Sequence, residues 1–232
     1  MNFDRIRQEA FQCNMRLPEL GLVIFTFGNV SVADAKQKVF AIKPSGVPYG
    51  ELSADSMVVV GFDGKVIDGD LRPSSDTATH AVLYRNWKEL GAIVHTHSTY
   101  ATAWAQAQKD IPIYGTTHAD HLTVPVPCAP PMSDKMIRGD YEIETGNQIL
   151  QLFKKKKLDY REVEMMLVGN HAPFAWGKTA SKAVYNAAVL EEIARMAYIT
   201  KQINPKAPML KKSLVKKHFE RKHGPHAYYG QK

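Results

Sequence analysis

Two histidines one residue apart close a short apolar run, Gly91-Ala-Ile-Val-His-Thr-His97. Side chains alternate across a strand, so His95 and His97 face one side while Thr96 faces the other. Two imidazoles side by side at the end of a buried strand make half of a metal site, and such a site needs partners. His171 ends another apolar run in a small-residue turn before Pro173, which places it at a sheet edge. Asp76 stands where a helix begins, in Pro73-Ser74-Ser75-Asp76, and suits either a cap or a ligand. His80, one turn later, shares that helix face and is a rival ligand. Three histidines with one carboxylate suit a borderline dication acting as a Lewis acid.

A second constellation is rich in serine and glycine. Pro44-Ser45-Gly46 can turn backbone N–H groups into a small concavity, with Lys43 beside it, and Ser74-Ser75 lie at a helix N-terminus. Both arrangements bind anions. A third group comprises titratable residues without an obvious structural duty: Asp120 in Thr117-His-Ala-Asp120, Glu142, His218 and Tyr229. Tyr228-Tyr229 in the tail is the mark of a segment that docks on something, its own core or a neighbouring subunit.

These residues need elements to hold them. Helical spacing of Phe3, Ile6, Ala10, Cys13 and Leu17 predicts a first helix closed by Pro18. Strands are expected at Val23–Phe27, Val39–Ile42 and Met57–Val60, with Asp63-Gly64 as a hairpin turn into Val66-Ile67. A helix over Thr77–Leu90 precedes the histidine strand, Ala92–His97, and a small-residue helix over Tyr100–Gln108 follows it. Short strands at Ile111–Tyr114 and Leu122–Pro125 would flank Gly115–Asp120. Ile143–Lys156 reads as a helix, Glu164–Val168 as a strand, and Ser181 as the cap of a long helix to Ile199. Leu210–Arg221 is a basic segment before a Gly/Tyr-rich tail. Strands and helices mix without strict alternation, which favours a mixed sheet with helices on both faces over a doubly wound nucleotide fold.

A chain of 232 residues with 44% hydrophobic content can build one full core. The start shows no leader, and no apolar run is long enough to span a bilayer. Two isolated cysteines, Cys13 and Cys128, suit a reducing cytoplasm. The net charge of +7 is concentrated in Lys154–Lys157 and the segment from Pro205 onward. No basic region alternates with aromatics, so nucleic-acid binding is not expected, and the positive field suits a small anionic substrate.

Taken together, GNVS, KPSG, PSSDT, the HTH strand, GTTHAD, HAPFAWGK, the LEE helix and the RKHG/AYYGQ tail resemble the class II sugar-phosphate aldolase/epimerase family over nearly the whole chain. THAD and the tyrosine-bearing tail point to its epimerase branch. The resemblance implies an α/β fold, a three-layer α/β/α sandwich with a mixed, largely antiparallel sheet. It implies one domain over residues 1–232, in a four-fold symmetric homotetramer with active sites between subunits, residues 205–232 serving a neighbour's site. It implies Zn²⁺ at Asp76, His95, His97 and His171, with Mn²⁺ or Co²⁺ as alternatives. Substrate and phosphate contacts fall on Gly28, Asn29, Lys43, Ser45, Gly46, Ser74 and Ser75. Asp120 and Tyr229 form the acid/base pair, Tyr229 arriving from the adjacent subunit, with His218 and Thr116 in support. One departure is local: where the family has His-Ser-His-Gly-Pro, this chain has Gly169-Asn170-His171-Ala172-Pro173.

The activity implied is conversion of L-ribulose 5-phosphate to D-xylulose 5-phosphate at C4. That hydrogen is not α to the C2 carbonyl, so simple deprotonation cannot invert the centre. Transient oxidation would need a nicotinamide, and no GxGxxG follows a strand. Breaking the C3–C4 bond solves the problem: a Lewis acid stabilises the enediolate, the aldehyde fragment turns, and the bond re-forms. Two proton-transfer groups on opposite faces are then required. The nearest alternative is an aldolase of the L-fuculose or L-rhamnulose 1-phosphate type. A second is a metal-free interaction module of the adducin kind, which has no use for three histidines. The pathway supplying the pentulose, from arabinose, ascorbate or a related sugar acid, is left open.

Overall fold

The structure, a computed structural model, describes residues 2–224 and 227–228. The chain opens with α1 (Asp4–Glu19), then β1 (Asn29–Asp34), β2 (Val39–Ile42), a 3₁₀ turn at Tyr49–Glu51, β3 (Val58–Gly61) and β4 (Val66–Asp68). α2 (Thr77–Asn86), β5 (Ala92–His95), α3 (Thr99–Gln106) and the single-turn α4 (Thr116–Ala119) follow. The second half carries β6 (Cys128–Ala129), α5 (Asp134–Ile137), α6 (Tyr141–Lys156), β7 (Met165–Val168), β8 (Pro173–Gly177), α7 (Ala180–Ile203) and α8 (Lys212–His223).

β2, β3, β5, β7 and β8 are buried at every position. Strands that apolar and that uniformly buried must be covered on both faces. They lie in one eight-stranded sheet of order β4-β3-β2-β1-β5-β8-β7-β6, antiparallel throughout except for β6 with β7. α1, α3 and α7 pack together beside β1, β5 and β8, and α2 and α6 pack on each other as the second helical layer. The α/β/α sandwich with a mixed, largely antiparallel sheet is as expected. Buried Asn14 of α1 ties helix to sheet, donating to the Val30 carbonyl at 2.9 Å and accepting from the Val30 N–H at 2.9 Å. Under α2, Trp87 stacks on Tyr160 at 4.8 Å and lies 4.9 Å from Trp176, which is wholly buried. Each such side chain contributes about 2–3 kcal/mol by leaving water.

Several expectations need correction. Val23–Phe27 is a loop, not a strand: Phe25 has φ 52°, and Ile24, Phe25 and Phe27 are exposed. β1 already has β2 on one side and β5 on the other, so no sheet edge beside it is open to a further strand. Apolar content there signals surface, not pairing. The histidine strand stops at His95, and His97 lies in the loop before α3. Of the strands expected around Gly115–Asp120 only an Ile111–Val126 bridge forms, and Thr116–Ala119 is helical. Between the His171 turn and the long helix lies β8, a strand the sequence reading did not include. The α2 helix ends at Asn86 because Trp87 turns extended into the aromatic cluster. Pro18 sits inside the last turn of α1 and does not close it. α7 is capped by Thr179, whose Oγ1 accepts from the Lys182 N–H at 3.2 Å, and not by Ser181. The basic segment after Pro208 is α8.

Candidate active site

Asn29, His95 and Phe174 sit on one rung of the ladder, where β1 pairs with β5 and β5 with β8. His95 is therefore held by both flanking strands at the end of the sheet. Phe174 stacks on its ring at 4.2 Å. Its Nδ1–H donates to the Pro173 carbonyl at 3.0 Å, since a carbonyl can only accept. Nε2 then carries the free lone pair, the arrangement that suits a metal ligand.

Although His97 lies beyond the strand, the loop returns it to the same place. One ring nitrogen each from His95, His97 and His171 lies within 4.8 Å of the other two. Burial pushes all three imidazoles below the ordinary histidine range, so they are neutral and keep their lone pairs at physiological pH. Nδ1 of His171 is buried with no hydrogen-bond partner among the described residues. An unpaired buried nitrogen costs free energy unless something binds it. Three neutral nitrogen donors this close together suit a single zinc-like dication.

The turn carrying His171 is pinned from behind. Gly169 has no room for a Cβ against the Ala129 carbonyl. Asn170 adopts φ 59°, a conformation asparagine tolerates better than most residues. Its N–H donates to the Ala105 carbonyl at 3.0 Å, and its Oδ1 accepts from Gln108 Nε2 at 2.9 Å. The departure at Asn170 thus anchors the ligand turn to the far end of α3, the helix that leads away from His97.

Asp76 does not cap α2 with its side chain. Its Oδ2 accepts instead from Asn29 Nδ2 at 2.7 Å. It falls outside the tight trio yet lines the same cavity of about 480 Å³ with the three histidines. His80, the rival ligand, is fully buried elsewhere: Nδ1 meets Ser31 Oγ at 2.7 Å, and Ser31 in turn meets Tyr84 OH at 2.8 Å.

The same cavity is lined by Gly28, Asn29, Lys43, Ser45, Gly46, Ser74 and Ser75, all seven expected contacts. The serine loops clasp each other: Ser45 N–H donates to Arg72 O at 2.9 Å and Ser74 N–H to Lys43 O at 3.0 Å. That corrects the expected concavity, because Ser45's amide is already bonded. The amides of Gly46, at φ 71°, and of Ser75 have no partner among the described residues. Lys43 is buried, with its Nζ 3.3 Å from the Thr26 and Pro44 carbonyls and no carboxylate within ion-pairing distance among the described residues. Burial lowers its pKa. Asn29 Oδ1 is also buried without a partner among the described residues.

Residues 8–198 match the family model of the class II aldolase and adducin N-terminal domain. The chain belongs to that family. Among its relatives, the L-ribulose-5-phosphate 4-epimerases UlaF of Salmonella paratyphi B and Salmonella typhi are each 50% identical over 228 residues, covering 98% of this chain and 99% of theirs. Among solved structures, an L-fuculose 1-phosphate aldolase superposes with a TM-score of 0.78 at 23% identity, covering 95% of this chain and 97% of that one. The L-fuculose-1-phosphate aldolase of Thermus thermophilus gives 0.66 at 23% identity, covering 89% and 99%. At that identity the two structures speak for the family fold alone.

The family resemblance also named Asp120, His218, Thr116 and Tyr229, and these are not among the described residues of the histidine cavity. Asp120 ends α4 and faces α8: it meets His218 Nδ1 at 2.9 Å, Arg221 Nη2 at 2.8 Å and Lys222 Nζ at 3.4 Å. Desolvation would raise its carboxyl, but bonds from Arg221 and His218 and the nearby cations outweigh it and bring the pKa to about 2. The Thr116 carbonyl accepts the Asp120 N–H at 2.8 Å. Tyr229 lies outside the described residues. Three cavity residues escaped the site reading. Phe27 (6.3 Å from the His97 ring) falls in the segment read as an ordinary strand, Tyr141 (6.1 Å from the His171 ring) lies two residues before the helix expected from Ile143, and Thr26 contributes only a carbonyl. Glu142, flagged for its lack of structural duty, lines the cavity too.

Proposed function

We propose that the chain is an isomerase that converts L-ribulose 5-phosphate to D-xylulose 5-phosphate at C4 by breaking and remaking the C3–C4 bond. The observation that carries this is one cavity lined both by a neutral three-imidazole cluster and by a buried lysine without a carboxylate partner among the described residues. A divalent cation held by His95, His97 and His171, with Asp76 as fourth ligand, supplies Lewis acidity for the sugar's oxygens, and Zn²⁺ fits that donor set best. Lys43 and the free amides of Gly46 and Ser75, with the hydroxyls of Ser45, Ser74 and Ser75, bind the phosphate. Asn29 orients Asp76 through Nδ2 and offers its Oδ1 to a sugar hydroxyl. Retaining the phosphate lets the aldehyde fragment turn without leaving.

A carboxylate with a pKa of about 2 is ionised at neutral pH, and the cations that hold it so also weaken it as a base. Asp120 does not line its own chain's histidine cavity, so in this reading it acts at the cavity of a second copy, within a homotetramer whose active sites lie between subunits. His218 and Arg221 hold that carboxylate in place, and Thr116 supports its backbone. Tyr229 would serve the other face of the sugar. The 50% identity to the named epimerases, over almost the full length of both chains, supports the same substrate.

The test is to incubate purified protein with L-ribulose 5-phosphate and assay D-xylulose 5-phosphate before chelation, after it, and after adding Zn²⁺ back. Interconversion that stops on chelation and returns with the metal is the expected result. Release of free aldehyde and ketone fragments without the epimer would mark an aldolase instead, and full activity after chelation would end the reading.

A further inference from the structure

Tyr49 lies in the 3₁₀ turn between β2 and β3, outside every motif discussed above, and is 7% exposed. Its ring carries the Lys43 ammonium 5.1 Å from the ring centre. Its hydroxyl donates to two consecutive backbone carbonyls, Phe27 at 2.9 Å and Gly28 at 3.1 Å. A residue needed only to fill space has no use for a hydroxyl aimed at two carbonyls. The turn it holds has little other freedom: Gly28 has φ 74°, and a Cβ there would stand 2.8 Å from Val23 Cγ1 and 2.9 Å from the His95 carbonyl. One side chain therefore touches both the buried cation and the turn leading into Asn29, a turn itself wedged against the end of β5.

We propose that Tyr49 is a positioning residue for phosphate: its ring seats the Lys43 ammonium and its hydroxyl locks the Phe27–Gly28 turn, so that Lys43 and Asn29 face the cavity in one geometry. The inference rests on the reading of Lys43 as a phosphate ligand. Among the described residues, Lys43 has only neutral carbonyls around its Nζ, each at 3.3 Å. A π face attracts a cation without neutralising it, which leaves its charge available to an anion. A carboxylate in the same place would compete with the phosphate. Burial pushes the Tyr49 phenol up, so it stays a neutral donor across the working range.

The two contacts separate by substitution. Tyr49→Phe keeps the ring and removes the hydroxyl; Tyr49→Leu removes both. Binding lost equally from ground and transition states appears in KM and not in kcat. We expect Tyr49→Phe to raise both KM for L-ribulose 5-phosphate and the inhibition constant of inorganic phosphate about fivefold. Tyr49→Leu should raise both about thirtyfold. In each variant kcat and bound metal per chain should stay within about twofold of the parent. Lys43→Met is the control. If it weakens inorganic phosphate binding while both Tyr49 variants leave that constant unchanged, the Tyr49 inference is overturned and the cradle stands. Loss confined to kcat or to metal content in Tyr49→Phe would also overturn it. If Lys43→Met itself leaves phosphate inhibition unchanged, the cradle reading fails and takes this inference with it.

Discussion

The histidine cavity and the Asp120 cluster are built in opposite ways. His95 sits on a sheet rung inside the main core, with neutral imidazoles, a stacked phenyl ring and backbone partners on both sides. Asp120 sits on a one-turn helix against α8, joined to it by ion pairs over a small apolar cluster of Ile113, Ala119 and Val215. Converging imidazole lone pairs, with the Asp76 carboxylate in the same cavity, suit the first region to hold a cation. Dense charge suits the second to hold one carboxylate ionised. A single chain thus makes both halves of the proposed chemistry but does not bring them together, which is the physical reason to expect the catalyst to be an assembly.

The strongest way to break this contrast is at the trio. His97→Asn should lose bound metal and epimerisation together, with activity down at least about a thousandfold, read by elemental analysis and product assay. Activity surviving without metal would erase the distinction between the regions. Asp120→Asn should cost about a hundred- to ten-thousandfold in kcat while metal content stays at the parent level. Mixing His97→Asn and Asp120→Asn chains and reassembling them should restore activity, because some sites would pair an intact trio with an intact carboxylate. No recovery in verified mixed assemblies would place both functions at one chain's own site.

A smaller effect separates the regions by acid. The Asp120 carboxyl drops from 3.8 to about 2 on folding, so its contribution is complete above the ordinary value and is lost as pH falls toward 2. Wild-type protein should lose about 2 kcal/mol more than Asp120→Asn between about pH 5 and pH 2, read from denaturation midpoints. Parallel curves would show that the α8 ion pairs contribute nothing to stability. The smallest effect belongs to the ligand turn. Asn170→Ala should cost about 1 kcal/mol for its left-handed backbone. Asn170→Gly should recover most of that stability, yet hold metal more weakly than the parent if the Gln108 bond steadies His171.

The three histidines were legible because their chemistry is local: each ends an apolar run. Their convergence was legible only in part, since the alternation argument that joins His95 to His97 fails beyond His95, where the strand stops. The loop does what the pleat was expected to do. Residues 23–27 misled because apolar, β-branched composition does not distinguish a paired strand from an exposed loop. Whether Asp76 capped a helix or faced a cavity depended on Asn29, a partner 47 residues away that no local pattern reveals. The duty of the Tyr49 hydroxyl was invisible for the same reason, its two carbonyl partners being 21 and 22 residues distant. The Asp120 cluster joins residues about a hundred positions apart, a proximity that no local spacing could reveal.

Asn29, His95 and Phe174 occupy adjacent places on one rung. Sliding any of these strands by a single residue would turn its member to the wrong side of the sheet. Selection for a new sugar therefore has little to gain at that row and more to gain at the rim, taken as Phe27 and Tyr141, cavity residues that are exposed. Libraries that randomise the rim and leave the row untouched should yield folded, metal-loaded variants with altered substrate range, whereas libraries centred on the row should yield mostly inert protein.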